Sequence, residues 1–497
     1  MVHHRTSIVI ILFLCLVFTT DPIEADSWNA EVIDIESLPT GDKEVIVAVI
    51  DTGIDLDHPA FAGHLWNNTD EIADNGIDDD DNGYIDDTLG WDFQNDDNIV
   101  DDDSAVSHGT HVSGIIAAEQ VGLSTARIMP LKAFDCVGNA EFNKVAEAIR
   151  YATDNNADII SMSMGGITGL SELYAAVRYA DDHGVVLVAA SGNGGLSSLD
   201  YPAKYTQVIS VGAINENTEV SSFSNYGSDL DVVAPGELIN STVISGQGLS
   251  SRIVSHDVIS YPMEFSLWSN TTISAKLIDG GDGTSLDDGI NGSIVLLRRG
   301  GLNFAEMAQT ISDLGGQGMV VYNDKPGMFA GTLQQEYGIY ALSIAQADGI
   351  LLLEQINTTD SIDFCFKIRK SDYFLNSGTS MVVPHVSAVI ARLQSSRSLN
   401  ASQIRHLFRY SCIDLPGNHD GYGLVNTTGI SAILSDDIAP AILVNITEQK
   451  SNELGLIEFS LELVMSDNIG LDYTTSTYLD EVITRYQRID HYGQKKG

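Results

Sequence analysis

Residues Val45–Asp55, VIVAVIDTGID, hold a continuous apolar run of six residues that ends on a carboxylate, Asp51. A run buried on both faces belongs inside a parallel sheet. Its last residue then lies at the carboxyl edge of that sheet, where open α/β folds bind ligands. The same grammar repeats downstream: strand Arg127–Leu131, helix Glu141–Thr153, strand Asp158–Met162, helix Ser171–His183 closed by Gly184, strand Val185–Ala190 and strand Gln207–Gly212. This alternation predicts an α/β fold, a doubly wound parallel sheet with helices on both faces.

One further helix completes the pattern. In Asn376–Leu393, NSGTSMVVPHVSAVIARL, apolar residues recur at Val383, Val386, Ile390 and Leu393, with Met381, Val382 and Val389 on other faces, as in a fully buried helix. Pro384 is tolerated in a first turn, so the helix is expected to begin close to Ser380. A hydroxyl there faces unpaired N–H groups and the positive dipole end, which favour the negative charge that develops when it attacks a carbonyl. An ordinary Ser N-cap on a core helix is the plain alternative.

At 497 residues and 43% hydrophobic composition, the chain can hold two or three domains. A net charge of −44, from 69 acidic and 25 basic residues, argues against nucleic acid and anionic membranes as partners. His3, His4 and Arg5 precede an apolar run from Ile8 to Phe18 and a small residue at Ala25, the pattern of a signal peptide over residues 1–25. That run is too short to span a bilayer, so an exported chain without membrane insertion is expected. Cys136, Cys365 and Cys412 make no disulfide framework. Eight N-x-S/T sequons, from Asn67 to Asn445, would accept glycans in a host that attaches them.

Three other stretches carry chemistry. In Asp74–Asp87, DNGIDDDDNGYIDD, the residues Asp78, Asp80, Asn82, the Tyr84 carbonyl and Asp86 converge around Gly83 as oxygen ligands do in a calcium loop, although the closing bidentate acid of an EF-hand is missing. The plain alternative is a solvated acidic loop. His108 and His111 open an apolar helix in SHGTHVSGIIAA. With no HExxH or paired CxxC to complete a zinc site, His108 suits a general base better. Asn193, in ASGNGG at the end of a strand, can aim an amide NH2 into a cleft.

Together Asp51, His108, Asn193 and Ser380 supply an orienting carboxylate, a base, an oxyanion donor and a nucleophile, in the order Asp, His, Ser. IDTGID, HGTHVSG, ASGNGG and GTSMVVPH resemble the subtilisin-like serine proteases, and SMSMGG, YPAKY, SSFSNYG and DVVAPG extend the likeness. The resemblance implies a catalytic set of Asp51, His108, Ser380 and Asn193. It also implies specificity-pocket walls from Ser161, Met162, Ser163, Met164 and Gly165 and from Ala190, Ser191 and Gly192, with Ala133–Asn139 pairing with substrate as an added strand. The expected activity is hydrolysis of proteins or peptides, with calcium as a structural ion and no organic cofactor. A binding protein that keeps an inactive protease scaffold is the rival reading.

Departures from the family pattern are informative. Val382 and Val383 replace the usual Ala and Ser and are expected to crowd the nucleophile helix. The segment EQVGLSTA is too short for the calcium loop that many relatives carry after the HGTHVSG helix. Between Ala25 and Asp51 there is no room for a propeptide of the family type. The peptidase domain is expected over residues 26–435, interrupted at about 246–371 by roughly 120 extra residues, far more than a loop. Within them Gly292–Asp324 reads as strand, basic turn, helix, Gly turn and strand, and resembles the protease-associated domain, which implies gating or protein contact. Residues 436–497 alternate in IEFSLELV and carry SDNIGLD, suggesting a small β segment, part of an Ig-like sandwich.

Overall fold

The structure is a computed structural model that describes residues 28–118, 125–417 and 419–435, and the strands 442–451 and 457–465 as backbone. The signal-like N-terminus, most of EQVGLSTA and SDNIGLD lie outside the described residues.

The described residues up to Thr427 form one unit. Its elements begin with α1 (Trp28–Ile33), β1 (Val45–Asp51), β2 (Trp91–Asp92), α2 (His108–Ala117), β3 (Ala126–Lys132), α3 (Phe142–Asp154), β4 (Ile159–Met162), α4 (Ser171–Asp182), β5 (Val186–Ala190), β6 (Val208–Ile214), β7 (Val232–Pro235) and β8 (Ile239–Thr242). Strands β1 to β7 make a wholly parallel sheet in the order β2-β3-β1-β4-β5-β6-β7. The chain leaves β1 toward β3 on one side and resumes with β4 on the other, so Asp51 ends the strand at which the order switches. A crevice opens at such a point.

The sheet is covered on both faces because its residues alternate between two cores. Ala48, Ile50, Met129, Leu131, Ile160 and Leu187 pack with Val145, Ile149, Leu173 and Val177 of α3 and α4. The opposite face meets α2 and α7 (Thr379–Ser396), which pack against each other; α8 (Ala401–Ser411) lies near β6. Helix α7 is apolar all round because it is buried all round, between α2 and strands β4 to β7.

Between β8 and β16 (Tyr373–Asn376) the chain forms a second sheet. Its strands are β9 (Gly248–Ile253), β10 (Ser260–Pro262), β11 (Ser269–Asp279), β12 (Ile294–Arg298), β13 (Gly318–Tyr322), β14 (Tyr340–Ile344) and β15 (Ile362–Ser371), in the order β10-β14-β13-β12-β11-β15-β9. The middle pairs are parallel and the outer ones antiparallel. Helix α5 (Phe304–Asp313), held by an Asn303–Glu306 capping box, covers one face, and α6 (Gln346–Thr359) covers the other. The insertion thus carries its own hydrophobic cores. It joins the first sheet's domain through the antiparallel ladder β8–β16, in which Thr242 pairs with Tyr373. After α9 (Thr427–Ser435), the second unit contains an antiparallel pair, β17 (Ile442–Ser451) and β18 (Ile457–Met465).

One expectation needs correction. Helix α7 starts at Thr379, so Pro384 is its sixth residue, beyond the first turn. The missing Pro384 N–H would have bonded the carbonyl of Ser380. Ser163 Oγ takes that role, donating to Ser380 O at 2.8 Å, and the freed carbonyl is satisfied from outside the helix.

Candidate active site

The candidate residues sit at the carboxyl ends of β1, β4 and β5 and at the starts of α2 and α7. Asp51 ends β1 fully buried; its Oδ1 accepts from the Thr52 N–H (2.8 Å) and faces His108 Nδ1 at 2.8 Å. Its Oδ2 is buried without a hydrogen-bond partner, so among the described residues His108 is the only side chain hydrogen-bonded to the carboxylate. His108 is the first residue of α2, and Thr52 Oγ1 draws that helix onto the strand by accepting from Gly109 N at 2.8 Å. A Cβ on Gly109 would stand 2.1 Å from the Gly53 carbonyl oxygen, so only glycine permits this approach.

The field at His108 has two opposed parts. Burial disfavours the cation, but the charge and hydrogen bond of Asp51, with Asp102 behind it, outweigh burial and hold the His108 pKa above the ordinary imidazole value. Asp102, which accepts from Thr110 N and Oγ1, was not evident as a neighbour from sequence. Because Nδ1 faces a carboxylate, it carries the proton in the neutral ring, which leaves Nε2 as the basic atom. His111 points elsewhere, toward the Phe374 carbonyl (3.1 Å), and burial pushes its pKa down to about 3.

Ser380 is the second residue of α7. Its hydroxyl donates to Ser163 O at 3.1 Å rather than to His108, so the side chain rests against the end of β4. Asn193 follows β5, and its Oδ1 accepts from both Thr379 N (2.8 Å) and Thr379 Oγ1 (2.9 Å). Those two donors fix the amide: the oxygen faces Thr379, and the NH2 is turned to the other side, near Gly378. Ser161 and Met162 lie in β4, with Ser163, Met164 and Gly165 just beyond it; Ala190 ends β5, with Ser191 and Gly192 following. Strands β4 and β5 pair, so these two segments leave the sheet side by side, the first bonded to Ser380 and the second leading into Asn193.

The acidic loop gathers differently from its sequence spacing. Asp78 accepts from Asn82 N and Gly83 N, and Asp86 from Asn75 N and Gly76 N, so both hold turns. Tyr84 packs edge-on against Trp91, Phe93 and Tyr151. Asp80 instead joins Glu71 and Asp87, with ligand oxygens within 4.8 Å of one another. Asn82 bridges Asp80 and Asp87 through its NH2 (3.0 Å to each). Glu71 lies ahead of the stretch Asp74–Asp87 and Asp87 is its last residue, just past the alternating set Asp78 to Asp86, and neither carried a spacing signal of its own. A cavity of about 1060 Å³ lies elsewhere, lined by residues of β9, β10 and β16.

Comparisons with known proteins agree with this architecture. A family model described as the subtilase family matches residues 42–286, and one described as PA domain matches residues 271–352. The first match ends inside the insertion, ahead of Ser380. The chain is 36% identical over 219 residues to subtilisin of Bacillus pumilus, covering 41% of this chain and 69% of that one. It is 37% identical over 203 residues to thermitase of Thermoactinomyces vulgaris, 39% of this chain and 64% of that protein. The chain spans about half to two thirds of the length of the first relatives it matches. Among solved structures, the psychrophilic subtilisin-like protease Apa1 from the Antarctic psychrotroph Pseudoalteromonas sp. AS-11 superposes with a TM-score of 0.60 at 24% identity. That match covers 82% of this chain and 98% of that one. With the insertion lifted out, the parallel sheet, the ordered motifs and these relatives lead to one conclusion: the chain belongs to the subtilase family.

Proposed function

We propose that the chain is an exported serine endopeptidase that cleaves proteins through an acyl-enzyme. The observation that carries this reading is the Asp51–His108 hydrogen bond, taken with a serine at the start of α7, which packs on α2, and an amide whose NH2 is turned out by Thr379. In the reaction, the Ser380 hydroxyl turns from Ser163 to His108 Nε2 and gives up its proton there as Oγ attacks the peptide carbonyl. The imidazolium is stabilised by Asp51. The Asn193 NH2 and the N-terminal end of α7 meet the oxyanion. His108 then protonates the leaving amine, and water, deprotonated by the same nitrogen, releases the acyl group.

Reaction with a fluorophosphonate tests this. Wild type should be labelled at Ser380 and Ser380→Ala should not; a folded wild type that stays unlabelled would support an inactive scaffold instead. Export rests on the Ile8–Phe18 run after a basic start, and among the described residues no helix is long and apolar enough to cross a membrane.

Calcium fits the acidic loop. Glu71, Asp80 and Asp87 offer only oxygen donors, and among the described residues no Lys or Arg pairs with them, so a hard cation suits the cluster. These three would hold the ion, with Asp78, Asn82, the Tyr84 carbonyl and Asp86 shaping the turn around it. Bound there, calcium would remove carboxylate repulsion and brace the loop against β2 and α3 through the Asp87–Tyr151 hydrogen bond.

A further inference from the structure

A peptide carbonyl attacked by Ser380 must lie between that hydroxyl and the Asn193 amide, so the side chain of the residue that owns the carbonyl starts beside both. Two segments border that point: Ser163–Gly165, whose first carbonyl accepts from Ser380 Oγ, and Ala190–Gly192, directly ahead of Asn193. A third segment joins them. Asp200 N donates to Ser191 O (3.0 Å), and Tyr201 exchanges backbone hydrogen bonds with Gly166 at 2.8 and 2.9 Å, so residues 200–201 are stitched to both walls.

The Asp200 carboxylate lies between those walls. A Cβ on Gly192 would be 2.4 Å from Asp200 Oδ2, and one on Gly165 would be 3.0 Å from the same atom. The absence of a side chain on each wall therefore makes the space that the carboxylate occupies, and Gly192 also needs glycine for its φ of 108°. Among the described residues the carboxylate accepts no hydrogen bond and has no ion-pair partner. Lys204, whose field reaches it, gives its ammonium to Ser198 Oγ (3.0 Å) and lies 5.7 Å from the Tyr201 ring centre. Burial raises the pKa of Asp200, as expected of a half-buried acid lacking a close counter-charge. An apolar side chain entering here would desolvate the acid further, whereas a cation would answer it.

We propose that Asp200 forms the floor of the specificity pocket and selects Lys or Arg as the residue on the acyl side of the cleaved bond. This rests on the reading of Ser380 as the nucleophile, and no motif singled out from the sequence includes Asp200.

The test uses peptides that differ only at that residue, carrying Arg, Lys, Phe or Glu, with kcat/KM normalised to active sites counted by fluorophosphonate. Arg and Lys should exceed Phe by about 100-fold, equivalent to about 2.7 kcal/mol at 1.36 kcal/mol per tenfold. In Asp200→Asn the Arg-to-Phe ratio should fall by about the same factor, while Asp200→Glu should keep a preference for cations. Because a ratio is read, partial misfolding of a variant does not mimic the effect. A wild-type ratio at or below one, or an unchanged ratio in Asp200→Asn, overturns the assignment. Calorimetric binding of the same peptides to Ser380→Ala separates the two readings. If that variant prefers the Arg peptide while wild type neither labels nor cleaves, the peptidase reading fails and the pocket stands. Equal affinity for Arg and Phe peptides removes the pocket assignment.

Discussion

Acid should destabilise this protein through a histidine that takes no part in the proposed chemistry. His385 is fully buried in α7; its Nδ1 donates to Met381 O at 2.7 Å, so its Nε2 is the acceptor for Asn29 Nδ2 at 2.9 Å. A proton on Nε2 would set donor against donor in a dry site. Burial accordingly pushes the His385 pKa down to about 4, against an ordinary value of 6.5. As pH falls, the unfolded chain takes up this proton first, so between those two values it holds more protons than the folded chain and stability falls with pH. At pH 5 an unfolded-state imidazole is protonated about 30:1, and RT ln(1 + 30) gives about 2 kcal/mol lost between pH 7 and 5, with the loss reaching about 3 kcal/mol near pH 4 and levelling off only below it. The assay is urea unfolding at pH 5, 6, 7 and 8 of Ser380→Ala, which avoids autolysis, against Ser380→Ala/His385→Gln. The Gln variant should be less stable at every pH but should lack this slope. His108, whose raised pKa adds stability as pH falls, is common to both proteins and cancels. Parallel stability curves would refute the linkage argument.

Four further outcomes are expected. Asn193→Ala should lower kcat by about 100-fold or more, the loss seen when one oxyanion donor is removed from subtilisin itself, and unchanged turnover would reject Asn193 as a donor. Gly236→Ala places a Cβ 2.6 Å from Val382 Cγ2 and from Ala213 Cβ, so it should cost about 1–3 kcal/mol. A double-mutant cycle with Val382→Ala should recover part of that cost, and additive losses would mean that the two do not crowd each other. Calcium at about 100 times its Kd should add about 2.7 kcal/mol and raise the melting midpoint by several degrees relative to chelator, with Asp80→Asn weakening the response and sodium failing to replace it. Replacing Val243–Asp372 by a two-residue Asn-Gly turn should leave Ser380 reactive toward the phosphonate while changing activity on folded proteins; a folded but unlabelled variant would show that the insertion is needed to form the site.

The catalytic half of the fold was legible because each strand of the parallel sheet is a short apolar run and each candidate residue sits where such a run stops. Asp51 and Asn193 could be placed at strand ends, and His108 and Ser380 at helix starts, from local sequence alone. Partners brought in from other segments were not legible. Ser163 relieves a carbonyl that Pro384 leaves open, and nothing near Ser163 announces that service. Glu71 and Asp87 complete the acidic cluster from outside the alternating motif. Strands β9, β10 and β11 of the insertion are rich in Ser and Thr, β9 and β10 are short, and β11 is mostly exposed, so their apolar alternation is too weak to separate from a loop.

The narrow ladder β8–β16 also bears on how the chain reaches its native state. Thr242 and Tyr373 pair across about 130 intervening residues, and closing so long a coil is entropically slow; relative to a four-residue turn the extra cost is about 3 kcal/mol. If those residues first collapse around their own two cores, the effective separation shrinks to that of a hairpin and the penalty largely disappears. Strand β16 runs through Ser377 and Gly378 straight into α7, so Ser380, the proposed nucleophile, can reach Asp51 and His108 only after this hairpin closes. Assembly of the catalytic centre would then wait on the inserted domain, and core substitutions there, such as Phe364→Ala or Met307→Ala, would delay the appearance of phosphonate reactivity during refolding without touching the crevice.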